Sequence, residues 1–291
     1  MTAIVKNLYN LPQNPLTKDL IIGAIMNYYP KDVACWINSI RDVGFTGDII
    51  VVDYGSHPDT IAYLEKWGVK VYTAQLNGLH IVVQRFYTMF TILHMLNVCD
   101  YRCVFATDVK DVIFQKNPSL RFKDGNRQAA ILASNENIQY EYEDWGRDNL
   151  KKTFPHLYEF MKWQYIYNAG TIAGEFELVR DLFLHIFHLS LVGIQGDPQP
   201  DQAAYNILIN TRPFINNVYF CEDGDAWVAN LGTTWDPTKR DKYAPYWYDP
   251  APKIVDGEVL NQKDQEYVIV HQYDRVPGLK EKIINKFGNL R

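Results

Sequence analysis

Short apolar runs alternate with amphipathic stretches along the first third of the chain. Leu20 to Met26 (LIIGAIM) is a run of buried-strand type, and Asn27-Tyr28-Tyr29-Pro30 behind it reads as a turn. A helix fits Asp32 to Val43. Gly44, Gly47 and Asp48 then punctuate the chain before a second strand, Ile49 to Val52, which ends at Asp53 with Gly55 and Ser56 behind it. A helix over Thr60 to Trp67, a strand over Val69 to Tyr72, a long amphipathic helix from about Leu79 to Leu96 and a fourth strand over Arg102 to Thr107 continue the series. Strand–helix alternation with unbroken apolar strands predicts an α/β fold whose parallel sheet is covered on both faces. Such sheets bind ligands at the carboxyl ends of their strands, so Asn27, Asp53 and Asp108 become the first candidate site residues.

Beyond Asp108 the alternation loosens. Ala129 to Ala133 reads as a strand, Asn135 to Lys152 as a polar, acidic and aromatic stretch, and Tyr165 to Ile172 as a strand interrupted at Gly170. Phe176 to Val192 has helical spacing, Gly193 to Pro200 is a loop, and Asp201 to Ile209 is a short helix with Asp201 placed to cap it. Tyr267 to Val270 is strand-like and leads to His271. There is no internal repeat and no low-complexity linker.

Composition narrows the function classes. With 29 Lys plus Arg against 34 Asp plus Glu, the net charge is −5, which argues against a duplex nucleic-acid binder and means that an anionic ligand needs a local cation. A length of 291 residues suffices to bury roughly three quarters of the unfolded surface in one large domain or two closely packed ones. Cys35, Cys99, Cys103 and Cys221 are too few and scattered for a disulfide framework and read as reduced thiols. Met1 to Asp19 holds no continuous apolar stretch of signal-peptide type, and no apolar run approaches a membrane span. A cytoplasmic location is the expectation.

The sharpest chemical feature is Thr107-Asp108-Val109-Lys110-Asp111-Val112, directly after the fourth strand. Carboxylates three apart share one side if the chain turns there, and together they can hold Mg²⁺ or Mn²⁺; the plainer alternative is a helix cap and first-turn acid. His271 at a strand end is either a structural hydrogen-bonder or a third metal ligand. Gly170 permits close backbone approach and Asn168 offers donor and acceptor to a hydroxylated ligand, with a simple bulge as the alternative. Tyr140 to Trp145 interleaves rings with Glu141, Glu143 and Asp144, as sugar sites and solvated acidic loops both do. Arg85 on the long helix is a candidate phosphate contact or a surface charge. Dinucleotide, P-loop, Gly-x-Ser-x-Gly and His-Glu-x-x-His motifs are all absent.

Taken in order, TDVKDVIFQ (Thr107 to Gln115), YNAGTIAG (Tyr167 to Gly174), PDQAAYN (Pro200 to Asn206) and VHQYDR (Val270 to Arg275) resemble segments of GT-A-fold nucleotide-sugar glycosyltransferases. These include the galactosyltransferase and glycogenin-like enzymes and viral or bacterial relatives with a TDV(R/K)DV-type segment. The resemblance implies a single GT-A-like catalytic domain over residues 1–291, with a Rossmann-like nucleotide-sugar-binding half (20–115) and a mixed acceptor-binding half (116–291). It implies a metal site at Asp108, Asp111 and His271 for Mn²⁺ or Mg²⁺. Asn168 and Gly170 are implied near the donor sugar, Asp201 and Gln202 facing the sugar and reaction centre, and Asn27 and Asp53 in the nucleotide pocket, for which Arg85 is the candidate phosphate or base contact. If the reaction inverts, one carboxylate acts as general base toward the acceptor hydroxyl, with Asp201 the first candidate and Glu143 or Asp144 the second. Lys110 stands where the second Asp of the family's Asp-x-Asp motif usually sits, which leaves the ligating carboxylate open and would let Lys110 partly replace the ion. The activity implied is sugar transfer from a nucleotide sugar, a UDP-sugar first, to a glycan or other hydroxyl acceptor that can stack on the rings of Tyr140 to Tyr167 and Trp227 to Tyr248. The alternatives are a catalytically silent carbohydrate-binding protein and a nucleotidyltransferase, although the glycine-rich loop of the latter is absent.

Overall fold

The structure is a computed structural model that describes residues 17–122 and 131–291. Most of the N-terminal lead, and Ala129 and Ala130 of the strand expected from Ala129, lie outside the described residues. The apolar runs form a central sheet. Lys18–Ile25 (β1), Asp48–Asp53 (β2), Lys70–Thr73 (β3) and Tyr101–Thr107 (β4) lie parallel to their neighbours in the order β3-β2-β1-β4. The sheet continues past β4 with Tyr165–Glu175 (β7), Ile131–Gln139 (β6) and Val218–Cys221 (β8).

Two covered faces account for strands with no polar interruption. Ile21, Ile49 and Phe105 face one side and pack with Trp36 and Ile37 of helix α1 (Pro30–Asp42) and Leu64 of α2 (Pro58–Lys66). Leu20, Ile22 and Val104 face the other, against Phe86 and Leu93 of α3 (Ile81–Met95) and, further along the chain, Leu182 and Ile186 of a helix over Phe176–Gly193. The first four strands are parallel, as the strand–helix alternation predicts, and the sheet becomes mixed beyond Asp108, where that alternation loosens: β7 runs antiparallel to both β4 and β6, while β6 and β8 are parallel. The direct β6–α4–β7 connection, with α4 at Asp144–Thr153, thus closes an antiparallel pair rather than a crossover. The helix over Phe176–Gly193 is α5, and Asp201–Ile209 forms α6.

A second, three-stranded sheet sits beside the carboxyl end of β4. Val112–Phe114 (β5) follows the Asp108–Asp111 turn and pairs antiparallel with Ile269–His271 (β12). β12 is in turn parallel to Val228–Asn230 (β9). His271 is therefore in register with both Val112 and Asn230, which brings three distant parts of the chain to one place. Lys253–Val255 (β10) and Glu258–Leu260 (β11) form a separate hairpin.

Among the described residues no helix is long and apolar enough to cross a membrane. None of the four cysteines is in a disulfide, and Cys103 is buried in β4.

Candidate active site

The Asp108–Asp111 turn is set by its apolar members. Val109 and Val112 are buried, so the two carboxylates between and beside them are turned toward a cleft. Val109 fits because β1 carries Gly23 opposite it: a Cβ there would stand 2.6 Å from Val109 Cγ2. On the strand before the turn, Trp36 Nε1 donates to Thr107 Oγ1 at 2.9 Å in full burial, a bond worth about 1 kcal/mol. Asp108 N donates to Gly170 O at 2.7 Å and Gln272 N to Asp111 O at 2.8 Å, tying the turn to β7 and to the end of β12.

His271 completes a cluster. Its Nε2 lies 3.6 Å from Asp108 Oδ2 and 3.7 Å from Asp111 Oδ2, and one ligand atom from each residue falls within 4.8 Å of the others. The other ring nitrogen, Nδ1, is 3.0 Å from Asn230 Oδ1. Asn230 spends its amide N–H groups on the carbonyls of Asn135 (2.9 Å) and Ser134 (3.4 Å), so its oxygen is the acceptor for His271. His271 Nδ1 accordingly carries a proton, and Nε2 points at two carboxylates. A neutral imidazole would there set a lone pair against two anions, an arrangement that needs either a second proton or a cation between them. The electrostatics carry the same demand. Although burial opposes it, the two carboxylates raise the His271 pKa. Burial also pushes Asp108 up, but Arg85 and His271 hold its carboxyl well below the usual range. Asp111 is raised, chiefly by burial, with Asp108 adding to it. Two aspartates and one histidine nitrogen are a hard, oxygen-rich donor set suited to Mn²⁺ or Mg²⁺, and the residues present fit such an ion.

Arg85 is the fixed cation of the cleft. From α3 it bonds Asp108 Oδ1 through Nη1, and through Nη2 it reaches Asp201 Oδ2 at 3.3 Å and Ala169 O at 3.4 Å. Asp108 thus gives one oxygen to Arg85 and turns the other to His271. Asp201 is not the cap of α6 as its position suggests; Pro200 is the N-cap and Asp201 opens the helix, with its buried carboxyl raised mainly by desolvation. The helix is pinned to β7 by Asn206, which accepts from Tyr167 N at 2.8 Å and donates to Tyr167 O at 2.7 Å.

Gly170 does not interrupt β7, which runs through it unbroken. A Cβ there would lie 2.5 Å from Asp108 Oδ2, so the glycine makes room for the carboxylate. Asn168 Oδ1 accepts from Gly170 N and its Nδ2 donates to Glu136 Oε1, each at 2.6 Å. Glu136, on β6, is buried, and its pKa is pushed up to about 6 by that burial and by Glu143.

These groups line a cleft of about 430 Å³. Asp108, Asp111, His271, Arg85, Asp201 and Gln202 meet there with Asn168, Gly170, Glu143 and Glu136, and Lys239 and Arg275 add positive charge. Other expected residues lie elsewhere. Asp144 pairs on the outside of α4 with Lys242 and with Arg147 at 3.2 Å, and is not part of the cleft wall. Lys110, between the two aspartates in sequence, is half exposed, pairs with Asp32 at 3.1 Å over the Tyr28 ring, and is not part of the cleft wall. Asn27 is exposed in a left-handed turn (φ 57°) and Asp53 accepts from Ser56 N at 2.8 Å; Tyr28 N donates to Ser56 Oγ at 3.1 Å, so the two strand ends form one corner. The Tyr28 hydroxyl, pushed up to about 12 by burial and by Asp108, Asp111 and Asp32, joins that corner to the cluster. Glu136, Asn230 and Tyr28 have no counterpart among the residues singled out from sequence. Only the position of Tyr28, directly behind the first strand, offered a signal.

No protein-family model matches the sequence, and no curated protein matches it. Solved structures do. The apo structure of the bifunctional glycosyltransferase WbbM is similar over 94% of this chain and 51% of its own, with a TM-score of 0.55 and 12% identity. The galactosyltransferase LgtC, in complex with donor and acceptor sugar analogues, is similar over 93% of this chain and 96% of its own, also with a TM-score of 0.55 and 12% identity. The chain spans about half of the WbbM chain and nearly the whole of LgtC. The mixed α/β architecture, with its mostly parallel central sheet, is the GT-A fold of these glycosyltransferases.

Proposed function

We propose that the protein is a glycosyltransferase that moves a sugar from a nucleotide sugar, in the first instance a UDP-sugar, to a hydroxyl acceptor. The observation that carries the proposal is the convergence of Asp108, Asp111 and His271 in the cleft of this fold. These three residues would hold Mn²⁺ or Mg²⁺, whose charge offsets that growing on a diphosphate leaving group. Arg85 keeps Asp108 ionised and oriented, and Asn230 keeps His271 in the tautomer that presents Nε2. Lys239 and Arg275 supply further positive charge toward phosphate oxygens in a chain of net charge −5. Asn168, Gly170 and Gln202 face the donor sugar, and the Asn27–Asp53 corner takes the nucleoside. In the transfer, the acceptor oxygen bonds to the anomeric carbon, the bond to the diphosphate oxygen breaks, and the acceptor proton passes to a carboxylate. Asp201 is the first carboxylate we assign to that proton and Glu143 the second; both line the cleft, and burial raises the Asp201 carboxyl.

The test incubates the full chain with UDP-, GDP- and ADP-sugars and Mn²⁺ or Mg²⁺ and measures released nucleoside diphosphate. Release with metal, lost in Asp108→Ala, supports the proposal. Glycan binding with no turnover and no nucleotide binding would assign a carbohydrate-binding protein, and pyrophosphate released from a nucleoside triphosphate and a sugar phosphate would assign a nucleotidyltransferase.

A further inference from the structure

Large aromatic rings stand in the open on one side of the C-terminal half. Trp145 and Tyr246 are each 45% exposed and Trp163 52%, whereas Trp36 and Trp227 are buried. The exposed rings are organised. Tyr142 stacks on Tyr246 with centroids 4.2 Å apart and planes within 10°, and meets Trp163 edge-on at 6.1 Å. They are also anchored. Tyr243, one turn before Tyr246, donates its hydroxyl to the buried Glu143 at 3.2 Å, and the Gln139 amide donates to Trp163 O at 2.8 Å. Glu143 directly follows Tyr142, and both Glu143 and Trp145 belong to the cleft wall. The ring strip is therefore continuous with the cleft and fixed relative to it.

Charge defines what the strip can take. Its cations are matched by neighbouring carboxylates: Lys162 by Glu159 at 2.6 Å, Arg147 by Asp144 at 3.2 Å, and Lys242 also by Asp144. An anionic lipid surface draws on Lys and Arg that are free to meet it, and these three are already engaged by carboxylates. Flat, anchored rings edged by paired polar groups suit a neutral ligand with apolar faces and a hydroxylated rim, which describes the C–H faces of pyranose sugars.

We infer that this strip is the extended acceptor subsite for a neutral oligosaccharide several residues long. Its reacting end lies at Asp201 and Glu143, and the rest of it lies across Trp145, Tyr246 and Trp163. The inference rests on the glycosyl-transfer reading and adds the acceptor class. It is tested by titrating the full chain with neutral gluco- and galacto-oligosaccharides, from mono- to hexasaccharide, while tryptophan fluorescence and saturation transfer from the protein to the sugar protons are followed. UDP with Mn²⁺ is titrated in the same samples. For at least one series, affinity should rise with length, and Trp163→Ala or Tyr246→Ala should weaken the longer members about tenfold, the scale of one ring contact. Trp163→Tyr, which keeps a ring, should restore most of the loss. Affinity independent of length, variants that bind as the wild type does, or no binding by any oligosaccharide while UDP and Mn²⁺ still bind would each overturn the inference. So would binding to vesicles of phosphatidylglycerol and phosphatidylcholine that Trp163→Ala abolishes, which would reassign the strip to a membrane. Failure of UDP to bind the wild type with Mn²⁺ would instead count against the transfer reading itself.

Discussion

Gly170→Ala is the smallest change that should disable the cluster without touching a ligand. The new methyl carbon would lie 2.5 Å from Asp108 Oδ2 and 2.8 Å from Asn168 Oδ1, where ordinary contact begins at 3.4 Å. The carboxylate must withdraw by roughly 0.9 Å, and it has little freedom to do so because its other oxygen is bound to Arg85. Asn168 is likewise held, by Gly170 N on one side of its amide and Glu136 on the other. Gly170 has no left-handed backbone, so alanine brings no conformational penalty and the effect isolates the crowding. Overpacking of this kind costs about 1–3 kcal/mol of stability, a fall of a few degrees in Tm for a chain of this size. Displacing a ligand oxygen by about an ångström should weaken Mn²⁺-dependent UDP binding by about 10–100-fold. Calorimetric titration of UDP with Mn²⁺, beside a thermal melt, measures both effects. A variant that binds within about twofold of the wild type would refute the close approach of Gly170 to a metal-holding Asp108.

Three further outcomes follow from the same geometry. Asn230→Ala removes the acceptor that fixes the His271 tautomer and should lower Mn²⁺ affinity about 10–100-fold in a direct metal titration; unchanged affinity would mean that Asn230 does not orient the ring. Lys110→Ala should change metal-linked UDP affinity by no more than about twofold, since the half-exposed Lys110 pairs with Asp32 and is not part of the cleft wall; a large loss would restore Lys110 to a cationic role in the cleft. Glu136 titrates at about 6 in the folded protein against 4.5 unperturbed, so the folded state holds this proton more tightly than the unfolded chain does. Its contribution to stability is full below about 4.5 and is lost as pH rises through about 6, a swing of about 2 kcal/mol. Glu136→Gln, which keeps an acceptor for Asn168, should therefore match the wild type near pH 4.5 and exceed it in denaturant stability at pH 8. Equal pH dependence of the two proteins would contradict the burial argument.

The nucleotide half was the more legible part because both faces of its strands are covered. Short runs such as Leu20–Met26 and Ile49–Val52, rich in β-branched residues and bounded by turn residues, read as strands of that kind, and each site-bearing turn follows directly behind one. The turn at Asp108–Asp111 was readable for the same reason, with Val109 and Val112 as its buried anchors. The reversal at β7 was not, since an antiparallel strand buried on both faces has the same composition as a parallel one. Glu136 and Asn230 escaped notice for a different reason. Glu136 lies on the cleft side of a strand whose polar residues look like a solvated loop, and Asn230 ends a three-residue strand too short to show any period. Their importance arises from what β7 and β12 bring beside them, which separation in sequence does not encode. The resemblance of four separated segments supplied the link between Asp108 and His271, and the register of β12 with β5 and β9 is the physical form of that link.

The most direct measurement of a metal-assisted diphosphate site is a paired calorimetric titration of UDP into the full chain with Mn²⁺ and with Mn²⁺ chelated, repeated on Asp108→Ala and His271→Ala. Tight binding that needs the metal, and that both substitutions abolish while leaving the melting transition cooperative, is the expected result. UDP binding of equal strength with and without Mn²⁺, or unaffected by either substitution, would contradict the assignment of Asp108, Asp111 and His271.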